Sequence, residues 1–348
     1  MQELGFEILL IGRSSINPLK RKRAHKTKQY RMIFNKGFLF YAEFNTRLFW
    51  TLLKEKKSLL FANDLDTLLP NFLAAKISRT PLVYDSHEYF TEVPELQNRS
   101  FVKSFWEKLE AWLFPRLHHV ITVNDKLAEI YSKKYNVHVT TIRNVPSLIP
   151  AESLKTVEKT VGKSHKESKH ILIYQGALNL GRGVELLIDC MVFLPDVELL
   201  IAGQGDISEE LKMRVQNRNL SDSIHFLGRV NPKELKKLTQ NASIGFSLEE
   251  DLGLNYRYAL PNKIFDYIHA GIPVIVSDLP IMSKLVLETG IGEVLKERSP
   301  RALANLVREV LLKKRSYKKN LYKAVRKFNW NEEKKVFHQF IDRIENLE

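Results

Sequence analysis

A single cysteine, Cys190, in a chain of 348 residues excludes an internal disulfide and a thiolate metal cluster. Its place in a predicted helix reads as core, and the scarcity of thiols fits a reducing compartment. Glycine and proline are sparse, at 15 and 13 residues, so fibrous and low-complexity classes are excluded. No stretch approaches the roughly 20 apolar residues of a membrane span, and the amino terminus lacks a basic region followed by an apolar core. The sequence therefore predicts a cytoplasmic protein, neither secreted nor integral. No His-Glu-x-x-His and no Cys-rich cluster is present, so no protein-held metal is predicted. Hydrolase and kinase readings lose their usual footholds, because neither Gly-x-Ser-x-Gly nor a P-loop occurs.

What is present is a globular composition, 44% hydrophobic and 10% aromatic, long enough for about two domains. The net charge is +14, and residues 1–150 hold 23 Lys and Arg against 14 Asp and Glu. Such an excess favours an anionic partner: nucleic acid, a diphosphate-linked substrate or an acidic membrane surface. No nucleic-acid reading motif accompanies it, so no nucleic acid is predicted. The densest basic part is Lys20-Arg21-Lys22-Arg23 with Lys26, Lys28 and Arg31, followed by Phe38-Leu39-Phe40-Tyr41 and Phe44 to Trp50. Two readings stay open: peripheral contact with the inner face of a membrane, and a solvated loop leading into a buried helix.

Short apolar strands alternate with helical segments along both halves. In the first half they are predicted at 5–12, 57–62, 81–84, 119–123 and 139–142. In the second they fall at 171–176, 197–202, 223–227, 243–247 and 274–277. This alternation predicts an α/β protein with two doubly wound, Rossmann-like domains facing a cleft. The predicted division is 1–150, a polar linker at 151–169, a second domain at 170–325 and a last helical segment at 326–348. Met1 to Gly5 reads as the tail of a helix, so the first domain is expected to lack its first strand, as from a late start or a truncation.

The segment Pro261-Asn262-Lys263-Ile264-Phe265-Asp266-Tyr267-Ile268-His269-Ala270-Gly271-Ile272-Pro273-Val274 reads as a helix followed by a buried strand. Pro261 and Asn262 make the helix start, asparagine being able to cap free N–H groups. Lys263 then lies in the positive end of the helix dipole, and Asp266 and Tyr267 share its face. A cation for a diphosphate and a carboxylate for ribose hydroxyls would sit on one support. An ordinary amphipathic helix capped before a strand reads the same way. Gly176-Ala177-Leu178-Asn179-Leu180-Gly181-Arg182-Gly183 is a glycine-rich strand-to-helix turn in which Gly176 and Gly181 let a diphosphate approach and Arg182 adds a contact; tight packing alone also explains it.

These segments resemble the family 4 glycosyltransferases, the "group 1" enzymes of the GT-B fold, many of which carry Pro-Asn-Lys-x-x-Glu-Tyr-x-x-x-Gly-x-Pro-Val. The resemblance runs from about Leu4 to the final helix. It implies a hexosyltransferase-type enzyme that moves a sugar from a UDP- or GDP-linked donor to a glycan or lipid-diphosphate acceptor in surface polysaccharide biosynthesis. Anomeric configuration would be retained, and no metal or other cofactor would be needed. The donor would bind the second domain through Gly176, Gly181, Arg182, Asn262, Lys263 and Asp266, the acceptor would bind the first, and the last helix would cross back to the first domain.

Asp266 stands where the family pattern has glutamate. The family's paired-acid signature would place its earlier acid at Tyr258, which leaves Glu250 or its neighbours Glu249 and Asp251 to approach the sugar. In the first domain Val83-Tyr84-Asp85-Ser86-His87-Glu88 is a buried strand ending in titratable groups. His87 is the catalytic candidate near the reacting sugar, with Glu88 positioning it or touching the acceptor. Asp64 either lines the same cleft or caps a helix. Two rivals remain at this stage: a sugar-nucleotide epimerase on the same plan, and an inactive sugar-nucleotide sensor or scaffold.

Overall fold

A computed structural model describes residues 1–14, 25–97, 99–148 and 170–346. The run Lys20–Arg23 and the predicted linker at 151–169 lie outside the described residues. The chain forms two compact units. One holds Met1–Thr91, Ser100–Thr122 and Ala128–Thr140; the other holds Glu92–Arg99, Val123–Leu127 and Thr141–Glu348.

In the first unit, β1 (Leu9–Arg13) pairs in parallel with β2 (Lys26–Tyr30). A separate four-stranded sheet runs in the order β3 (Leu60–Asn63), β4 (Leu82–Ser86), β5 (His119–Thr122), β6 (Val139–Thr141). Strand β2 corrects the sequence reading in which Lys26 and Lys28 belonged to a solvated loop. Lys26 to Gln29 are exposed, whereas Tyr30 turns inward, donating to Thr51 Oγ1 at 2.6 Å and packing its ring on Phe44. Helix α1 (Gly37–Lys54) buries Phe44, Leu48 and Thr51, spaced four and three apart on one face. It packs on α2 (Leu65–Ser78). Helices α3 (Ser100–Leu113) and α4 (Asp125–Tyr135) follow. Strand β4 is the buried centre, with Val83 and Tyr84 fully enclosed.

The second unit carries six parallel strands in the order β12-β11-β10-β7-β8-β9, with bounds β7 His170–Gln175, β8 Val197–Ala202, β9 Ile224–Gly228, β10 Ile244–Ser247, β11 Val274–Ser277 and β12 Gly292–Leu295. Its helices are α5 (Val184–Cys190), α6 (Ser208–Asn217), α7 (Pro232–Asn241), α8 (Asn262–Ala270), α9 (Pro280–Thr289), α10 (Pro300–Lys313), α11 (Lys318–Lys327) and α12 (Trp330–Glu345). Strand β11 is enclosed on both faces, as its uninterrupted apolar run requires in a parallel sheet. Strand β12 was not foreseen, because its sequence is only half-buried.

Sequence order reverses between β7 and β10, which makes their carboxyl ends the switch point where an open α/β sheet offers a crevice. The two strands pair over only Ile244↔Leu172 and Gly245↔Ile173. Beyond that the phenol of Tyr267 joins them, accepting from the Gln175 N–H at 3.2 Å and donating to the Phe246 carbonyl at 3.2 Å. Gly245 is what admits the ring, since a Cβ there would lie 2.4 Å from Tyr267 Cγ.

Candidate functional site

The helix start at the switch point differs from expectation in one respect. Pro261 occupies the cap position and Asn262 is the first helical residue, with no side-chain cap bond. Lys263, on the first turn of α8, is 9% exposed and its Nζ lies 2.8 Å from Glu249 Oε1. The ammonium also sits 4.4 Å from the centroid of the Tyr174 ring. Glu249 is fully buried just beyond β10, and its Oε2 accepts from Ser247 Oγ at 2.7 Å. Arg182 approaches the same carboxylate, Nη1 to Oε1 at 3.7 Å, and lies over the Tyr256 ring at 4.9 Å. Its Nε is buried and without a hydrogen-bond partner.

Burial alone would protonate Glu249, yet Lys263 and the Ser247 hydroxyl hold its carboxyl below the usual range. Burial likewise works against the Lys263 ammonium, and Glu249 outweighs it, so this pKa stands above the ordinary value. The cluster is therefore ionised, with two cations to one carboxylate and an unmet Arg182 donor. That surplus suits an anion. The glycine turn borders it: Gly176 has φ +139°, and a Cβ added there would meet Lys263 Cε at 3.6 Å. Gly181 has φ +78°, and a Cβ would fall 2.4 Å from Leu252. Both positions demand glycine.

Lys263 and Asp266 do not act at one point, although three residues apart. Asp266 Oδ2 accepts from Gln175 Nε2 at 2.7 Å, while Gln175 Oε1 accepts from Thr239 Oγ1 at 2.9 Å. Asp266 lines a cavity of about 200 Å³ together with Pro146, Lys236, Thr239 and His269. Burial pushes its carboxyl up to about 6, against the pull of Gln175. Tyr267, expected on the same face, is the strand bridge already described.

Glu250 faces Arg298, its Oε1 3.3 Å from Nη2, and its N–H donates to the Gly181 carbonyl at 2.8 Å. Arg298 also donates to Ser277 Oγ at 2.7 Å and to the Leu248 carbonyl at 3.1 Å. Tyr258 ends the single turn Leu254–Arg257, with Lys126 Nζ 5.8 Å from its ring centroid. Sequence reasoning passed over Arg298 and gave Glu249 no preference. The only available signal for Glu249 was its place two residues past a predicted strand end.

In the first unit the carboxyl ends of β3 and β4 bring together Asp64, Asp85 and His87. Asp64 has φ +59°, a conformation that non-glycine residues adopt only when their surroundings impose it. Its side chain caps no helix. Instead Oδ1 accepts from the His87 backbone N–H at 3.0 Å and Oδ2 lies 3.3 Å from Nδ1, while His87 Nε2 is 3.1 Å from Asp85 Oδ2. Asp64 and then Asp85 raise the imidazole to about 10. His87 is thus an imidazolium at neutral pH, able to donate and to offer positive charge, and unable to accept a proton. The carbonyl of Glu88 accepts from Ser86 Oγ and from the Tyr131 hydroxyl. Partial burial, and then the neighbouring Asp64, raise the carboxyl of half-buried Asp66 to about 6. Among the described residues no group of His, Cys, Asp and Glu is arranged to hold a metal.

The His87 clasp makes a direct prediction. The folded pKa lies above the unfolded value of about 6.5, so the stability it contributes is complete below that pH and is lost as pH rises through about 10. In an NMR titration the His87 Cε1 proton should move near pH 10; a midpoint near 6.5 would refute the clasp.

The comparisons with known proteins agree with this architecture. Residues 157–328 match the family described as glycosyl transferases group 1, and residues 1–152 match glycosyltransferase family 4. The chain belongs to glycosyltransferase family 4, and its fold is GT-B, with two Rossmann-like domains. It is 25% identical over 203 residues to the phosphatidyl-myo-inositol mannosyltransferase of Mycobacterium leprae, a match covering 54% of this chain and 50% of that protein. It is also 25% identical over 162 residues to the GDP-mannose:cellobiosyl-diphosphopolyprenol alpha-mannosyltransferase of Xanthomonas campestris, covering 45% and 41%. The chain thus spans about half or less of these relatives' length. Among solved structures, Anabaena HepE in complex with UDP superposes with a TM-score of 0.70 at 15% identity, covering 97% of this chain and all of that one. WaaG, a glycosyltransferase involved in lipopolysaccharide biosynthesis, gives 0.68 at 15% identity, covering 93% and 87%.

Proposed function

We propose that this protein transfers a hexose from a nucleotide diphosphate sugar to a glycan or lipid-linked acceptor during assembly of a surface polysaccharide or glycolipid. The donor is UDP- or GDP-linked, the anomeric configuration is retained, and the reaction proceeds without a metal. The observation that carries the reading is the buried Lys263–Glu249–Arg182 cluster beside the Gly176 turn, with its excess of positive charge. The donor diphosphate lies against that turn, and Lys263 and Arg182 stabilise the negative charge that develops as the sugar departs. Asp266, held by Gln175, takes the ribose hydroxyls; the imidazolium of His87 donates a hydrogen bond to the acceptor without serving as a base, and the acceptor hydroxyl's proton passes to the leaving diphosphate as the new glycosidic bond forms. The relatives' names support the acceptor class, since one is a phosphatidyl-myo-inositol mannosyltransferase and another acts on a cellobiosyl-diphosphopolyprenol. The protein works at the inner face of the cell membrane.

A thermal-shift screen of UDP-, GDP- and ADP-sugars, each with and without a chelator, tests the donor assignment. One nucleotide class should raise the midpoint equally in both conditions, and Asp266→Asn should shrink that rise. No shift with any donor would overturn the reading, and a shift abolished by the chelator would overturn metal independence.

A further inference from the structure

Helix α3 carries three of its four aromatic residues on the wrong side for a helix that only covers a core. Trp106, Glu110 and Leu113, spaced four and three apart, face inward and are buried. The opposite face carries Phe101, Phe105, Lys108 and Trp112, spaced four, three and four, and Phe101 is 87% exposed. The exposed surface continues beyond this helix. Tyr41 of α1 packs edge-on against Trp106, which brings the first turn of α1 alongside, where Phe38 is 73% exposed and Leu39 also faces solvent. Phe72 of α2 packs against Trp112, and on that helix Ile77 is 64% exposed. Three consecutive helices of one unit thus present large apolar side chains outward, whereas singly scattered exposed residues need no explanation.

Charge decides what would cover such a surface. Lys36 is exposed beside Phe38, Lys108 lies within the α3 stripe, Lys76 sits over the Phe72 ring, and Arg116 over the Trp112 ring. The nearby acids are already engaged. Glu43 pairs with Arg47 and accepts from the N–H groups of Ile33 and Phe34, Glu107 faces Lys103, and Glu110 is buried against Lys134 and Tyr135. An isologous pairing of two copies would set these cations against one another. A surface of anionic lipid offers both an apolar layer for the rings and negative headgroups for the lysines.

We propose that the outer face of α3, with the first turn of α1 and the exposed edge of α2, is a docking surface for an anionic lipid bilayer. It keeps Phe38 and Leu39 of the segment in which the sequence suggested membrane contact and adds the outer face of α3. The proposal deepens the membrane-face reading above, and its test is independent of sugar transfer.

Co-sedimentation with phosphatidylcholine vesicles containing phosphatidylglycerol is the experiment. The protein should pellet with these vesicles at low salt, remain largely soluble with pure phosphatidylcholine, and release as ionic strength rises. The double variant Phe101→Glu/Phe105→Glu should bind at least about tenfold more weakly. A thermal scan with and without donor nucleotide accompanies each variant; an unchanged nucleotide response there shows that the donor site is intact. Absence of binding to the anionic vesicles would overturn the proposal, as would undiminished binding by the double variant. A dimer that the same substitutions dissociate, without any lipid binding, would assign the face to a second copy instead.

Discussion

Lys263→Met should lose UDP affinity by about 100-fold, as expected if a buried charge-assisted contact worth about 3 kcal/mol is removed from the diphosphate. The substitution has a second consequence that must be separated from the first. Glu249 is fully buried and would be left facing Arg182 at 3.7 Å as its one remaining cation among the described residues. Breaking one side of a buried pair typically costs about 3–5 kcal/mol of stability. The double variant Lys263→Met/Glu249→Gln removes the stranded charge and should recover most of the melting temperature while UDP binding stays weak. Calorimetric titration of both variants checks this. If the double variant binds UDP like the parent, Lys263 is a structural cation and the donor site lies elsewhere.

Glu249→Gln alone should show what the carboxylate does for its neighbour. Glutamine still accepts from Lys263 through its oxygen and can donate through its amide nitrogen to Ser247 Oγ, reversing that bond, but it removes the charge that keeps the buried ammonium protonated. Burial then dominates, and it acts to lower the lysine pKa. The sign follows: the variant's Lys263 is charged in mild acid and loses its proton as pH rises, whereas the parent's pKa lies above the ordinary lysine value. UDP affinity of the variant should fall at least about tenfold between about pH 7 and 9 while that of the parent stays level over the same range. Parallel pH profiles would overturn the role given to Glu249, whatever the absolute affinities. The pH profile also separates this role from simple destabilisation, which would not restore binding in mild acid.

Much of the second unit was legible because its signals are local. The Pro261–Val274 segment carries its own helix start, breaker and buried strand, and the glycines of the Gly176 turn occupy positive φ angles that few other residues tolerate. Lys263 and Arg182 were accessible for the same reason. Glu249 is bound to Lys263 by the way β10 and α8 return to one crevice, a relation that a separation of fourteen positions along the chain conceals. Arg298 arrives from beyond β12, a strand whose half-buried sequence gave little pattern. Periodicity placed Asp266 beside Lys263 on the helix, yet one reaches toward Glu249 and the other toward Gln175, since neighbours on a turn still diverge when different strands lie beneath them.

In the first unit, Asp64, Asp85 and His87 were each visible as polar residues near strand ends. Their mutual grip depends on the parallel register that sets Asn63 opposite Asp85 and lets the Asp64 N–H bond the Asp85 carbonyl at 2.9 Å. No spacing rule contains that register. The strand at Lys26–Tyr30 was hidden by charge: its exposed lysines mimic a loop, and only Tyr30 faces inward.

The phenolic bridge across the switch point has a consequence for how such a site changes over generations. Where β7 and β10 separate, their spacing is set by one hydroxyl and by the absence of a side chain at Gly245, while the paired residues below it keep the sheet in register. Substitution at Tyr267 and Gly245 would therefore alter the mouth of the crevice without unzipping the strands. Because a Cβ at Gly245 would lie 2.4 Å from the fully buried ring, the two positions are coupled, and a change of the crevice mouth through them requires both to change together.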